Sequence, residues 1–220
     1  MRERDLSECG YTEGIPYWDW THDADSVSAF KRAKIFDPKT GFGRTGFPEG
    51  DNSTASCVEN GPYAGMQMNI PEPHCLRRSF NLTSEMPGNW TSAVVKRIMD
   101  YPDYINFWNN TERMHTLVIE DGLCSLSLSH SGIPMITYIV LLEFFVHHSQ
   151  VDRLWTLWQG RNETRIWDYG GNTVQNVTTN TATLGDPMRF LGLAEDRPVE
   201  SLMDTLSNGL CYRYDDEDTN

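Results

Sequence analysis

The chain has 220 residues, 39% hydrophobic and 11% aromatic with seven tryptophans, which is enough length and apolar content for one ordinary domain with a buried core. Its net charge of -13 excludes a nucleic-acid binder, because neutralising phosphates takes clustered Lys and Arg, and no such cluster occurs. Part of the acidity is the run Asp215-Asp-Glu-Asp218, read as a solvated end.

In chain order, residues 1–9 read as the tail of a polar helix that stops at Gly10, a C-cap glycine. Gly14-Ile-Pro-Tyr-Trp-Asp-Trp-Thr21 is too aromatic for a surface loop. From Asp37 to Pro87 the text is rich in Gly, Pro, Asn and Ser, which predicts long ordered loops, with Cys57 and Cys75 as a candidate staple. Residues 90–108 read as helix, with Val94, Val95, Ile98, Met99 and Phe107 on the buried face, and a further helix is predicted from Trp108 to Val118. Ile133 to Val146 is nearly unbroken apolar sequence, yet it falls short of the roughly 18 or more residues of a bilayer span. It therefore reads as core, and no membrane association is expected. Turn-rich segments follow Gln159 and end at Gly209-Leu-Cys-Tyr-Arg-Tyr214. There are no repeats, phosphate-binding glycine loops or Gly-x-Ser-x-Gly elbows.

The segment from Glu143 to Gln159 carries the chemistry. As a helix it lines up Phe144, Val151, Trp155 and Trp158 along one apolar stripe, with His147 and His148 bordering that stripe on opposite sides. At least one imidazole then points inward, where each ring nitrogen needs a partner; a metal ion is one, a backbone carbonyl another. Asp152, one turn after His148, is placed to accept the other ring N–H and fix the tautomer a metal requires.

Six Asn-X-Ser/Thr sequons, at Asn52, Asn81, Asn89, Asn109, Asn162 and Asn176, shift the expectation toward a secreted glycoprotein. The five cysteines, Cys9, Cys57, Cys75, Cys124 and Cys211, fit two disulfides and one free thiol in an oxidising compartment. None forms a Cys-x-x-Cys pair, which argues against a thiolate zinc site. Against secretion, the charged start Met-Arg-Glu-Arg-Asp-Leu-Ser-Glu has no apolar signal core.

Pro16-Tyr-Trp-Asp-Trp20, His115, Phe144-Phe-Val-His-His-x-x-Val-Asp-Arg-x-Trp155 and Tyr212-Arg-Tyr214 together resemble the central domain of tyrosinases. Cys9-Gly-Tyr11, Thr40 to Gly43 and His74 to Arg77 narrow the resemblance to the secreted fungal type, over nearly the whole chain. The resemblance implies a mainly α fold with little β: a partial type-3 copper four-helix-bundle core with long ordered loops. It implies two copper ions, each held by three histidines, that bind dioxygen and oxidise monophenols or o-diphenols to o-quinones. Neutral imidazoles on facing helices suit copper, and dioxygen needs one electron from each of two copper(I) ions to become peroxide.

Position by position, the resemblance assigns the second copper centre (CuB) to His115, to a histidine four residues later, and to His148 rather than His147. The place four residues later is Ile119, which offers copper nothing; His130 is a candidate substitute. Leu141-Leu142 stands where the family has Asp-Pro, and the spacing between Ile119 and Phe144 is longer, as an altered coding segment such as translated intron would give. The three histidines of the first centre precede Cys-Gly-Tyr in the family, so the resemblance implies an N-terminally truncated chain with at most a partial CuB site. The lost start then also accounts for the absent signal peptide. His22 and His74 read as structural or exposed. Asp19 and Arg153 are expected to form a buried ion pair, and Phe144 or Phe145 to sit near the copper pocket. Thr116 replaces the Asn that helps a water act as base, which favours diphenol oxidation over monophenol hydroxylation. Tyr212 and Tyr214 mark the end of the domain, giving 1–214 as a partial tyrosinase domain and 215–220 as an acidic, disordered tail. The alternative reading is a catalytically inactive secreted glycoprotein or remnant that keeps the scaffold; a haemocyanin-like oxygen carrier ranks third.

Overall fold

The computed structural model describes residues 7–8, 10–44, 56–69, 73–78, 87–115, 141–174, 177–207 and 210–216. The chain divides into two compact units, Met1–Lys96 with Glu112–Gln150, and Arg97–Thr111 with Val151–Asn220. Regular structure is mainly helical: α1 (Val27–Lys31), α2 (Ser92–Met99), α3 (Tyr104–His115) and α4 (Leu141–Gly160). The β content is three antiparallel pairs of two-residue strands: β1 (Ser56–Cys57) with β4 (Arg77–Arg78), β2 (Gln67–Met68) with β3 (His74–Cys75), and β5 (Pro187–Met188) with β6 (Arg197–Pro198).

The first unit is built around aromatic side chains of the early chain. Trp18 packs edge-on against Phe36 at 5.4 Å and, tilted, on Phe30 at 5.3 Å; Phe30 in turn meets Trp90 at 4.8 Å. Trp18, Trp20, Phe30, Phe36 and Trp90 are all buried, as expected of Tyr17-Trp-Asp-Trp20 read as interior rather than loop. The Trp18 indole N–H donates to Asp23 Oδ2 at 2.9 Å, so its polar edge is satisfied as its ring enters the core. Asp19 caps the short 3₁₀ turn Trp20–Asp23: its Oδ1 accepts from the Thr21 amide and hydroxyl. His22 is exposed, 3.9 Å from Asp19.

The loop region carries the expected staple, a disulfide between Cys57 and Cys75. Val58 N–H donates to Leu76 O, Leu76 N–H to Met66 O, and Gly65 N–H to Val58 O, so short strands share one backbone network where the composition alone predicts only loop. Gly43 needs its glycine: φ is +82°, and an added Cβ would stand 2.2 Å from the Asn60 carbonyl oxygen. Cys211 is a free, exposed thiol; Cys9 and Cys124 lie outside the described residues.

The helix predicted over 90–108 is two helices. Pro102 cannot donate a backbone N–H and disfavours a helical conformation at Tyr101, so α2 stops at Met99. Asp103 then starts α3 as its N-cap, accepting from the Asn106 amide at 2.9 Å and from its side chain. These donors hold the Asp103 carboxyl below its ordinary pKa, the Asn106 side-chain bond first. In the second unit Phe107 stacks on Trp158 at 4.9 Å, the Trp158 N–H donates to Tyr101 O, and the Arg165 guanidinium lies 4.7 Å from the Trp158 ring. Trp108 stacks on Tyr104, which also meets Trp155 and Tyr169. Burial, with the Asp186 charge second, pushes the Tyr169 phenol pKa up. No helix among the described residues is long and apolar enough to cross a membrane.

Candidate metal-ligand helix

Twenty residues give α4 a length of about 30 Å. Its buried positions differ from the stripe of Phe144, Val151, Trp155 and Trp158 that hydropathy selects. Val146, His147, Gln150, Leu154, Trp158 and Gln159 are buried, whereas Val151 and Trp155 are half-buried and the Phe144 side chain lies outside the described part. The face is turned by about one residue, roughly 100°, because polar side chains occupy interior positions. Gln150 is wholly buried, and the Gln159 amide donates to Met203 O at 3.1 Å.

That rotation decides which histidine is inside. His147 is 4% exposed and its ring lies 4.7 Å from that of Trp20, tilted by 35°. Val146, one residue earlier, accepts the Trp18 amide N–H at 2.9 Å on its carbonyl. His148 is exposed, its ring perpendicular to that of His147 at 5.4 Å. Of the two imidazoles, His147 is the buried one and His148 the exposed one.

Further along α4, Asp152 was expected to partner the His148 ring. Its Oδ2 instead accepts both phenol hydroxyls of the expected landmark, Tyr212 at 2.6 Å and Tyr214 at 2.7 Å, with the two tyrosine rings perpendicular at 5.9 Å. One carboxylate oxygen has lone pairs for two donors, and two phenols two residues apart reach it together. Next to it, the Arg153 guanidinium donates to both carboxylate oxygens of Asp216, at 3.1 Å from Nε to Oδ1. The sequence assigns Asp216 to a solvated tail; here its carboxyl sits below the usual range, first because of the hydrogen bond from Arg153, against an opposing effect of burial.

The other site candidates are less fully placed. His115 is the last residue of α3 and its side chain lies outside the described part; His130, Ile119 and Thr116 lie outside the described residues altogether. Among the described residues no group of three or more His, Cys, Asp or Glu stands together. The described donors do not by themselves build a complete copper centre. Buried Gln150 and the joining of Arg153 to Asp216 were missed by sequence reasoning. The first looks like a surface residue in a helical pattern, and the second is one acid in a run of four.

A family model described as the common central domain of tyrosinase matches residues 1–132. Tyrosinase-like protein phomQ1' of Diaporthe leptostromiformis is 33% identical over 97% of this chain and 61% of its own length. Tyrosinase ustQ of Aspergillus flavus is 32% identical over 96% of this chain and 60% of its own length, and oxidase hkm6 of Aspergillus hancockii is 31% identical over 96% and 88%. The chain thus spans about three fifths of the length of the first two relatives.

The Asp216 carboxyl has a lower pKa folded than unfolded, so the stability it contributes is present above the unfolded value of about 3.9 and is lost as pH falls through the folded one. Asp216→Asn is expected to lower the urea midpoint at pH 7 and to match the parent chain at the acid end of the titration. An equal deficit at every pH would show that the Arg153 pair is not its source.

Proposed function

Because the chain belongs to the tyrosinase family, whose members support a copper oxidase function, we propose that it serves phenol oxidation and that His148 and His115 are copper ligands of the second centre. The substrate class is a monophenol or o-diphenol with dioxygen as oxidant, and Thr116 favours the o-diphenol. The observation that carries the reading is the division of the histidine pair: His147 is buried on Trp20, and His148 stays reachable on the same helix. Copper, when bound, supplies the exchange of electrons with dioxygen. The protein's own contribution at this helix is to hold the His148 imidazole in a fixed direction. Trp20, Val146 and His147 on one side of it support that role, since ligands work when neighbouring contacts lock their orientation.

The test is copper content. The purified chain, loaded with copper and freed of loosely held ions, is expected to retain copper, and His148→Ala is expected to lose the retained copper while keeping its melting temperature. His147→Ala is the opposite control, costing on the order of 2 kcal/mol of stability through loss of a buried ring. No retained copper in the parent chain, or retention unaffected by His148→Ala, overturns the assignment and leaves the inactive-scaffold reading.

Two sequon residues support a secreted, glycosylated form: Asn109 and Asn162 are both exposed. Asn162 uses its Oδ1 to accept from the Thr164 amide and hydroxyl, so its amide nitrogen remains the attachment point. Glycosidase treatment of the chain secreted from a fungal host is expected to lower its mass and convert both positions to Asp; an unchanged mass refutes it.

A further inference from the structure

We infer that the β2–β3 hairpin carries a soft-metal site in which the thioethers of Met66 and Met68 and the imidazole of His74 bind copper(I). This is independent of the copper centre proposed at His115 and His148.

The argument begins with spacing. In extended chain, residues two apart share a face, so Met66 and Met68 present their sulfurs on one side and Gln67 on the other. Exposure follows that alternation: Met66 and Met68 are half-buried and Gln67 is exposed. The antiparallel register pairs Met68 with His74 and Gln67 with Cys75. Directly opposed residues stand on the same face, with Cβ atoms about 4.5–5.5 Å apart. The amide of Leu76 donates to Met66 O at 2.8 Å, which carries the pairing one residue further and keeps Met66 in line with the other two. Leu76 itself is buried, so the face that holds Met66, Met68 and His74 has an apolar floor at one end and half-exposed donors at the other.

The backbone under these three side chains is fixed rather than adaptable. Cys75, next to His74, is bonded to Cys57, and Val58 donates to Leu76 O at 2.8 Å while accepting from Gly65 at 3.1 Å. Donors mounted on a stapled backbone need little ordering to converge, and methionine's unbranched, flexible chain takes up the remaining reach. The donor chemistry selects the ion. Thioethers are soft and neutral, and with a neutral imidazole they suit a monovalent soft cation such as copper(I), while calcium, magnesium and manganese require oxygen ligands, which these three side chains do not supply. Imidazole binds metal through one nitrogen and keeps the other for a hydrogen bond, so His74 does not have to give up its protein contacts.

The experiment uses the full chain, with its free thiols, Cys211 among them, first alkylated with iodoacetamide and its nine methionines labelled with methyl-¹³C as separate reporters, and silver nitrate in chloride-free buffer as a redox-inert stand-in for copper(I). One equivalent of silver is expected to shift the methyl signals of Met66 and Met68, assigned through Met66→Leu and Met68→Leu, and to leave the other methionines in place as a check on the fold. His74→Gln is expected to raise the silver needed for saturation. The shifts are expected unchanged in His148→Ala, so that failure of the copper-centre assignment and failure of this one are read separately. Met66 and Met68 signals that move no more than the rest, or saturation indifferent to His74→Gln, overturns the site.

Discussion

The packing of His147 against Trp20 is the contact on which the functional reading depends. Consecutive residues of a helix point about 100° apart, so fixing one imidazole fixes the direction of its neighbour. A ring centroid distance of 4.7 Å, together with the Trp18 amide bonded to the Val146 carbonyl, pins this stretch of α4 to the aromatic segment Tyr17 to Trp20. The apolar cluster of Trp18, Phe30, Phe36 and Trp90 supports that segment from behind. His148 is thus presented by a chain of packing that begins well before it in sequence.

Further along α4 the chemistry changes from rings to charges. Asp152 gathers two phenols and Arg153 pairs with Asp216, so the segment from Tyr212 to Asp216 is tied to the helix through consecutive residues. The carboxylate and guanidinium satisfy each other's neighbours without burying a lone charge, which is the condition under which ionic contacts in a half-buried setting are stabilising. Tyr-x-Tyr is therefore a fastening for α4, and its spacing follows from the need to bring two hydroxyls to a single oxygen.

Much of this was legible in the sequence because strong local signals agreed with tertiary structure. The tryptophans of Tyr17 to Trp20 had nowhere to go but the core, Cys57 and Cys75 flanked a loop that needed closing, and the segment around His147 was long and aromatic enough to be a helix. The errors have a common cause: a pattern read from hydropathy cannot see which polar side chains are buried. Gln150 and His147 lie inside, so the stripe on α4 is turned away from Val151 and Trp155. Pro102 interrupts the apolar periodicity on either side of it, so the predicted single helix is two. Asp216 was read with its acidic neighbours, although a single guanidinium was enough to remove it from them. The side chain of His115 and all of His130 lie outside the described residues, so the expectation for them rests on the family alone.

Histidine-selective carbethoxylation followed by peptide mass spectrometry tests the division of the pair most directly, since the reagent attacks only imidazoles that solvent can reach. The account expects His148 to be modified early and His147 to stay protected until the chain unfolds. Equal rates at the two positions, or faster modification of His147, would contradict it and remove the physical basis for aiming His148 at a metal.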